Sequence, residues 1–206
     1  MASTAAPGAR LEHADEDRLS LILPGDWARI PLESEEASNQ EISRLLRRQV
    51  PRRDELAAMR RDAREMMRGL ANDAREAEAI LLALSLELLP GLPFAAAIIA
   101  HYIPEPQFDE QLPLELQLAV VQQNGEVVEL DCGLVARLVE RDLPGPDEPD
   151  ASIVIRFQYL MPTPFVGRWI QLYANVPTEL DPELVTALLD AIVGTVRWFP
   201  DEAAEA

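Results

Sequence analysis

The sequence predicts an α+β domain: an antiparallel sheet of about six strands, with two long N-terminal helices and one C-terminal helix packed on it. Three observations lead there. Residues 79–103, "AILLALSLELLPGLPFAAAIIAHYI", place Ile80, Leu82, Leu84, Leu86 and Leu88 on one face before Pro90-Gly91, and Phe94, Ala96, Ile98, Ala100 and Tyr102 on one face after it. That period of two marks a hairpin of long, buried strands. "ASIVIRFQYLM" and "RWIQLYANV" repeat the pattern around Pro162–Gly167, with Ile153, Ile155, Phe157 and Tyr159 facing one way. Helical spacing then brackets the strands, before them over 42–77 and after them over 184–193. Strands grouped between helices, rather than alternating with them, make the class α+β.

The elements follow in order. "LSLILPGDWARIPL" (19–32) gives two short apolar runs around Pro24-Gly25-Asp26, a strand–turn–strand entry. Ser34 can cap a helix carrying Ile42, Leu45, Leu46 and Val50, which Pro51 breaks. A longer helix is expected over 53–77, with Leu56, Met59, Ala63, Met66 or Met67, Leu70, Ala74 and Ala77 in its apolar stripe. "DEQLPLELQLAVVQQ" (109–123) fits both periods, with Asn124-Gly125 a hairpin-turn signal; the helical reading is favoured. "EVVELDCGLVARLVERDL" (126–143) reads as two strands meeting near Cys132-Gly133. The final helix has Asp181 as cap, Pro182 in the first turn and Leu184, Val185, Leu188, Leu189, Ile192 and Val193 buried, and "VRWF" ends it. Residues 19–199 are thus expected to form one domain, with 1–18 and 200–206 as disordered tails.

Composition narrows the chemistry. The chain is 48% hydrophobic but only 5% aromatic, so its core must be largely aliphatic. Its net charge is −18, and every base is Arg. A GC-rich coding bias explains the missing Lys more simply than selection for guanidinium chemistry does. Residues 79–206 hold 5 Arg against 20 acids, while residues 33–78 hold 10 Arg against 11 acids. The acidic body opposes nucleic acid and anionic membrane. Pro90, Gly91, Pro93 and Glu87 interrupt the one apolar stretch long enough to resemble a membrane span. The acidic start lacks the apolar core of a signal peptide, and one cysteine permits no internal disulfide. A cytoplasmic protein is the expectation.

No catalytic signature stands out. G-x-S-x-G, P-loop and G-x-G-x-x-G patterns are absent from the sequence. With Cys132, His13 and His101 as the only soft ligands, neither a zinc site nor any other cofactor is expected. His101 reads as a strand-edge or hydrogen-bonded residue and Cys132 as a buried, unreactive thiol among acids. Glu140 and Asp142 share a strand face, where solvated acids are commoner than a catalytic pair. Trp27, Trp169 and Trp198 are read as core or rim.

The feature that calls for a partner is in the second helix. On a wheel with Leu56 at zero, Arg53, Arg60, Arg61, Arg64, Arg68 and Arg75 fall between about 40° and 140°. Its acids fall between about 160° and 260°, so the charges are segregated. Like charges at i, i+4, as in Arg60, Arg64 and Arg68, disfavour an isolated helix. These six arginines are therefore the expected contact for countercharge, either the protein's own acids or an acidic protein partner or second copy.

The layout as a whole resembles a group of small, uncharacterised actinobacterial proteins. "LPGDWARIPL", the Arg-rich helices, the long apolar hairpin, "VVELDCGLVARLV", "FQYLMPTP…RWIQLYANVP" and "LLDAIVGTVRW" carry the likeness. It is similar to the Mog1/PsbP-like fold, a sheet between helices. The resemblance implies partner binding or help to an assembly, and brings no catalytic residues with it. It departs from the lipoproteins of that fold, which carry an export signal and a lipid-modified cysteine near the start. The expected function is a non-enzymatic protein-interaction module; the alternative is a small-molecule or lipid-binding module with an apolar pocket between sheet and helix.

Overall fold

The structure, a computed structural model, describes residues 10–14, 19–25, 27–49, 57–89, 92–108, 112–143, 153–178 and 180–199. Two antiparallel meanders meet edge to edge. The first comprises β3 (Trp27–Arg29), β4 (Leu81–Leu89) and β5 (Leu92–Pro104). The second comprises β6 (Glu126–Leu130), β7 (Gly133–Asp142), β8 (Val154–Pro162) and β9 (Arg168–Pro177). Because β9 pairs with β5, the seven strands run β3-β4-β5-β9-β8-β7-β6 in one sheet, every pair antiparallel. The class is α+β, with seven strands where about six were expected.

Register decides which side chains share a face. Ile98 lies opposite Ala174, Ala174 opposite Phe157, and Phe157 opposite Val139. That row belongs to the main core, which continues through Ile155, Tyr159, Ile170, Leu172 and Val176. Helix α4 (Pro182–Gly194) covers it with Val185, Leu189, Ile192 and Val193. Asp181 Oδ1 accepts the Glu183 N–H at 2.8 Å and Pro182 fills the first turn, so the helix starts where its capping signal stands.

A polar clamp holds α4 in place. Tyr159 donates its hydroxyl to Asp190 Oδ1 at 2.9 Å, and Arg137 pairs with Asp190 and, at 2.6 Å, with Glu126. Burial, reinforced by the Asp190 charge, pushes the Tyr159 phenol far up, so it remains a donor.

A second, three-stranded sheet completes this side. Strand β1 (Arg10–Ala14) pairs with β2 (Leu19–Leu23), and β10 (Arg197–Trp198) pairs with the other edge of β2. Two expectations change here. Residues 10–14, read as part of a disordered tail, are a strand, because they satisfy the outer edge of β2. "RW" does more than end α4: it returns the chain to β2, where Leu19, Leu21 and Leu23 are buried in the main core. The entry runs around Pro24-Gly25 are strands, but they part into different sheets. The remainder of the expected tails, 1–9, 15–18 and 200–206, lies outside the described residues.

The opposite face of the seven-stranded sheet is covered at its two ends. Helix α1 (Glu35–Gln49) and helix α2 (Ala57–Glu76) form a hairpin over β3, β4 and β5. Ile42, Leu45 and Leu46 of α1 and Met67, Ala71 and Ala74 of α2 meet Ile30, Leu82, Leu84 and Ala97 there. Ser34 Oγ caps α1 by accepting the Ala37 N–H at 3.1 Å. At the other end, helix α3 (Leu114–Val121) buries Leu118 against Ala136, Leu160 and Trp169. The helical reading of 109–123 thus holds for 114–121. Gly125 joins α3 to β6 rather than turning a hairpin, and a Cβ there would meet the Arg137 carbonyl oxygen at 2.6 Å. Gly133, at φ +117°, follows the turn between β6 and β7.

Candidate functional site

Helix α2 places five of the six expected arginines; Arg53 lies outside the described residues. The helix is continuous over Ala57–Glu76, and its buried residues are Met67, Ala71 and Ala74. Ala71 falls at about 60° on the wheel, among the arginines, while Met59 and Met66 on the far side are 51% and 70% exposed. The buried axis is therefore rotated toward the Arg flank. The cause is α1: small Ala71 and Ala74 let it pack close, and it settles beside the arginines.

Each arginine then meets a different fate. Arg75 is tied down, Nη1 donating to Ser38 Oγ at 2.9 Å and Nη2 to Asn72 Oδ1. Ser38 is itself buried and donates to the Pro31 carbonyl at 2.6 Å, so this end of the flank is structural. Arg61 lies 3.6 Å from Asp62, both well exposed, a pairing of little consequence. Arg60, half-buried, is also engaged. Arg64 and Arg68 form no ion pair or hydrogen bond with the described residues.

The hairpin gathers further charge that the wheel of one helix does not show. Because Ser38 meets Arg75 while Arg44 and Arg47 share a hollow with Arg68, α1 and α2 run antiparallel. The end made by 44–49 and 57–68 carries seven arginines against Asp62 and Glu65. The end made by 35–43 and 69–76 carries five acids against Arg75. The hairpin is polarised along its length. Between its helices lies a shallow hollow of about 670 Å³, lined by Arg44, Arg47 and Arg68 and, toward the acidic end, Glu35 and Glu36. Arg44 is held by Glu41, and Arg47 Nε donates to the Ser43 carbonyl at 3.1 Å.

A second place was not singled out by the sequence. Between α2 and α3 a strip of the sheet is left uncovered, and a groove of about 380 Å³ runs over β5, β9, β8 and β7 against α2. His101 and Tyr173 lie in its floor with ring centroids 5.5 Å apart and planes 15° from parallel. Burial lowers the His101 pKa, opposed by a hydrogen bond to Gln171, so the ring is neutral at pH 7. Gln122 Nε2 donates to Gln158 Oε1 at 2.9 Å, and Gln158 Nε2 donates to Tyr173 Oη at 2.8 Å. Asp73 of α2 and Glu140 of β7 stand at its sides, and Arg156, paired with Asp142, joins the floor. Glu140 and Asp142 do share a face, but Asp142 is committed to Arg156. The available signal was the polar alternation Gln171-Tyr173-Asn175 and Arg156-Gln158 within apolar strands; the helical wall that makes it a groove could not be read locally.

A smaller hollow of about 220 Å³ lies between α2 and the sheet at Met66, Met67, Leu70, Leu84 and Pro177. Trp27 and Trp169 are buried, and Trp198 is half-buried at the rim. Cys132 is half-buried in the β6–β7 turn, where burial raises its thiol pKa and keeps it protonated. Among the described residues, no group of three or more His, Cys, Asp or Glu is placed to hold a metal ion, and no helix is long and apolar enough to cross a membrane. No family model and no curated protein matches the chain.

Proposed function

We propose that this chain is a non-enzymatic interaction module that docks an acidic protein segment, from a partner or a second copy, on the Arg-rich end of the α1–α2 hairpin. The observation that carries this reading is the imbalance over 44–49 and 57–68, seven arginines against two acids, with Arg64 and Arg68 meeting no counter-ion among the described residues. Bringing like charges together costs energy that an incoming acidic segment relieves, and the same field steers its approach. Guanidinium forks suit carboxylates, which they bind through two parallel hydrogen bonds. Nucleic acid fits less well, since residues 79–206 carry 20 acids against 5 Arg. The resemblance to the Mog1/PsbP-like layout, whose members mainly bind partners or assist assemblies, supports the same reading.

The test is binding of a fluorescent Asp/Glu-rich peptide, with sedimentation of the protein alone for self-association. Binding is expected to weaken steeply with salt and to be lost in the Arg64→Glu/Arg68→Glu variant. Unchanged affinity in that variant contradicts the proposal. For the small-molecule or lipid-binding alternative, the apolar hollow at Met66, Met67, Leu70 and Leu84 offers about 220 Å³, below the roughly 300–1,000 Å³ typical of small-molecule pockets.

A further inference from the structure

The groove over β5, β9, β8 and β7 has hydrogen-bonding groups that the protein itself leaves open. Gln158 turns its oxygen to the Gln122 Nε2–H and its own Nε2–H to Tyr173 Oη. Tyr173 Oη therefore accepts, and its own hydrogen must be donated elsewhere. Among the described residues it meets no acceptor, and the Asn175 amide meets no partner of either kind. Asp73 and Glu140 present acceptors only, from opposite sides of the groove, while Arg156 presents donors beyond those given to Asp142.

A ligand that fits must return donors to the two carboxylates and acceptors to the phenol, the amide and the guanidinium. An apolar ligand would strip water from all five and replace none of it. Among the described lining residues an anion would face Asp73 and Glu140, with Arg156, itself paired with Asp142, as the opposing charge. A cation would serve the carboxylates but leave Tyr173 and Arg156 without acceptors. A hydroxyl group donates one hydrogen bond and accepts two, so several hydroxyls on a neutral frame answer the whole mixed set. Neutral His101 adds no charge to the floor. The volume of about 380 Å³ lies within the range of small-molecule sites. We propose that this groove binds a neutral polyhydroxylated ligand, a small sugar, between Asp73 of α2 and the Tyr173–Asn175 stretch of β9.

The experiment uses the full chain and follows the His101 ring C–H resonances by NMR. Glucose and maltose serve as neutral probes, gluconate as the anion, glucosamine as the cation and decanoate as the apolar probe. Saturable shifts are expected with a neutral sugar, with at least tenfold weaker binding in Tyr173→Phe and again in Asn175→Ala, whose side chain is exposed and free to be removed without unfolding. Arg64→Glu/Arg68→Glu should bind the sugar as the unaltered chain does, which separates this site from peptide docking. If neither neutral sugar shifts the resonances, if a charged or apolar probe binds more tightly, or if both groove variants bind undiminished, the inference is wrong.

Discussion

At the scale of single residues, burial and pairing rank the polar groups. Asp190 is the most consequential, because one carboxylate serves Tyr159 and Arg137 and so fastens α4 to β7 and β8. Removing it strands a phenol that is largely out of water and leaves the Arg137 guanidinium with Glu126 alone. Asp190→Ala is expected to lose about 2 kcal/mol in urea unfolding, and no loss would show that the clamp is ornamental. His101 sets a pH dependence whose sign follows from its lowered pKa. Above the free value of 6.5 neither folded nor unfolded ring is charged. As pH falls below that value the unfolded chain takes up a proton before the folded one, so stability declines until the folded pKa is passed. His101→Gln should flatten this part of the stability–pH curve; an unaltered curve would mean the ring titrates freely. Asp73, Glu140 and Tyr173 line the same groove, and the difference between the two curves isolates the part that belongs to His101. Neither role was legible in the sequence: Asp190 sits on the half-buried side of an amphipathic helix, and its partners come from strands about 31 and 53 residues away.

At the scale of elements, local pattern located the helices and strands well and their orientation less well. Period two found β4, β5, β8 and β9, and the Asp181-Pro182 signal found the start of α4. The stripe of α2 was found only in part: Ala74 is buried, but Met59 is 51% exposed and buried Ala71 was not in it, and a wheel cannot choose between neighbours such as Met66 and Met67. The choice belongs to α1, which packs on the Arg side and leaves Met66 70% exposed against 5% for Met67. Met67→Ala is therefore expected to cost about 2–4 kcal/mol by thermal or urea unfolding, and Met66→Ala less than about 0.5 kcal/mol. Equal costs would mean that the rotation of α2 is wrong. The same packing divides the six-arginine flank. Arg75 is drawn into the joint with Ser38, while Arg44 and Arg47 of α1 join Arg68.

At the scale of the whole molecule, charge and topology divide the labour. The acidic residues 79–206 supply most of the seven-stranded sheet, and the hairpin rides on one end of it, with Arg44, Arg47 and Arg68 sharing one hollow with Glu35 and Glu36. The sheet's size was under-read by one strand, and its small companion sheet was missed, since β1 and β10 are too short and polar to show a period. Pairing with β2 makes them strands. The central claim is that an acidic protein segment seats on the Arg-rich end of the hairpin, and its most direct test is to see where such a segment lands. Titrating an Asp/Glu-rich peptide into isotope-labelled protein should move backbone amide resonances of residues 44–49 and 57–68 and leave the sheet groove still. Shifts spread evenly over the surface, or concentrated away from the hairpin, would contradict the account.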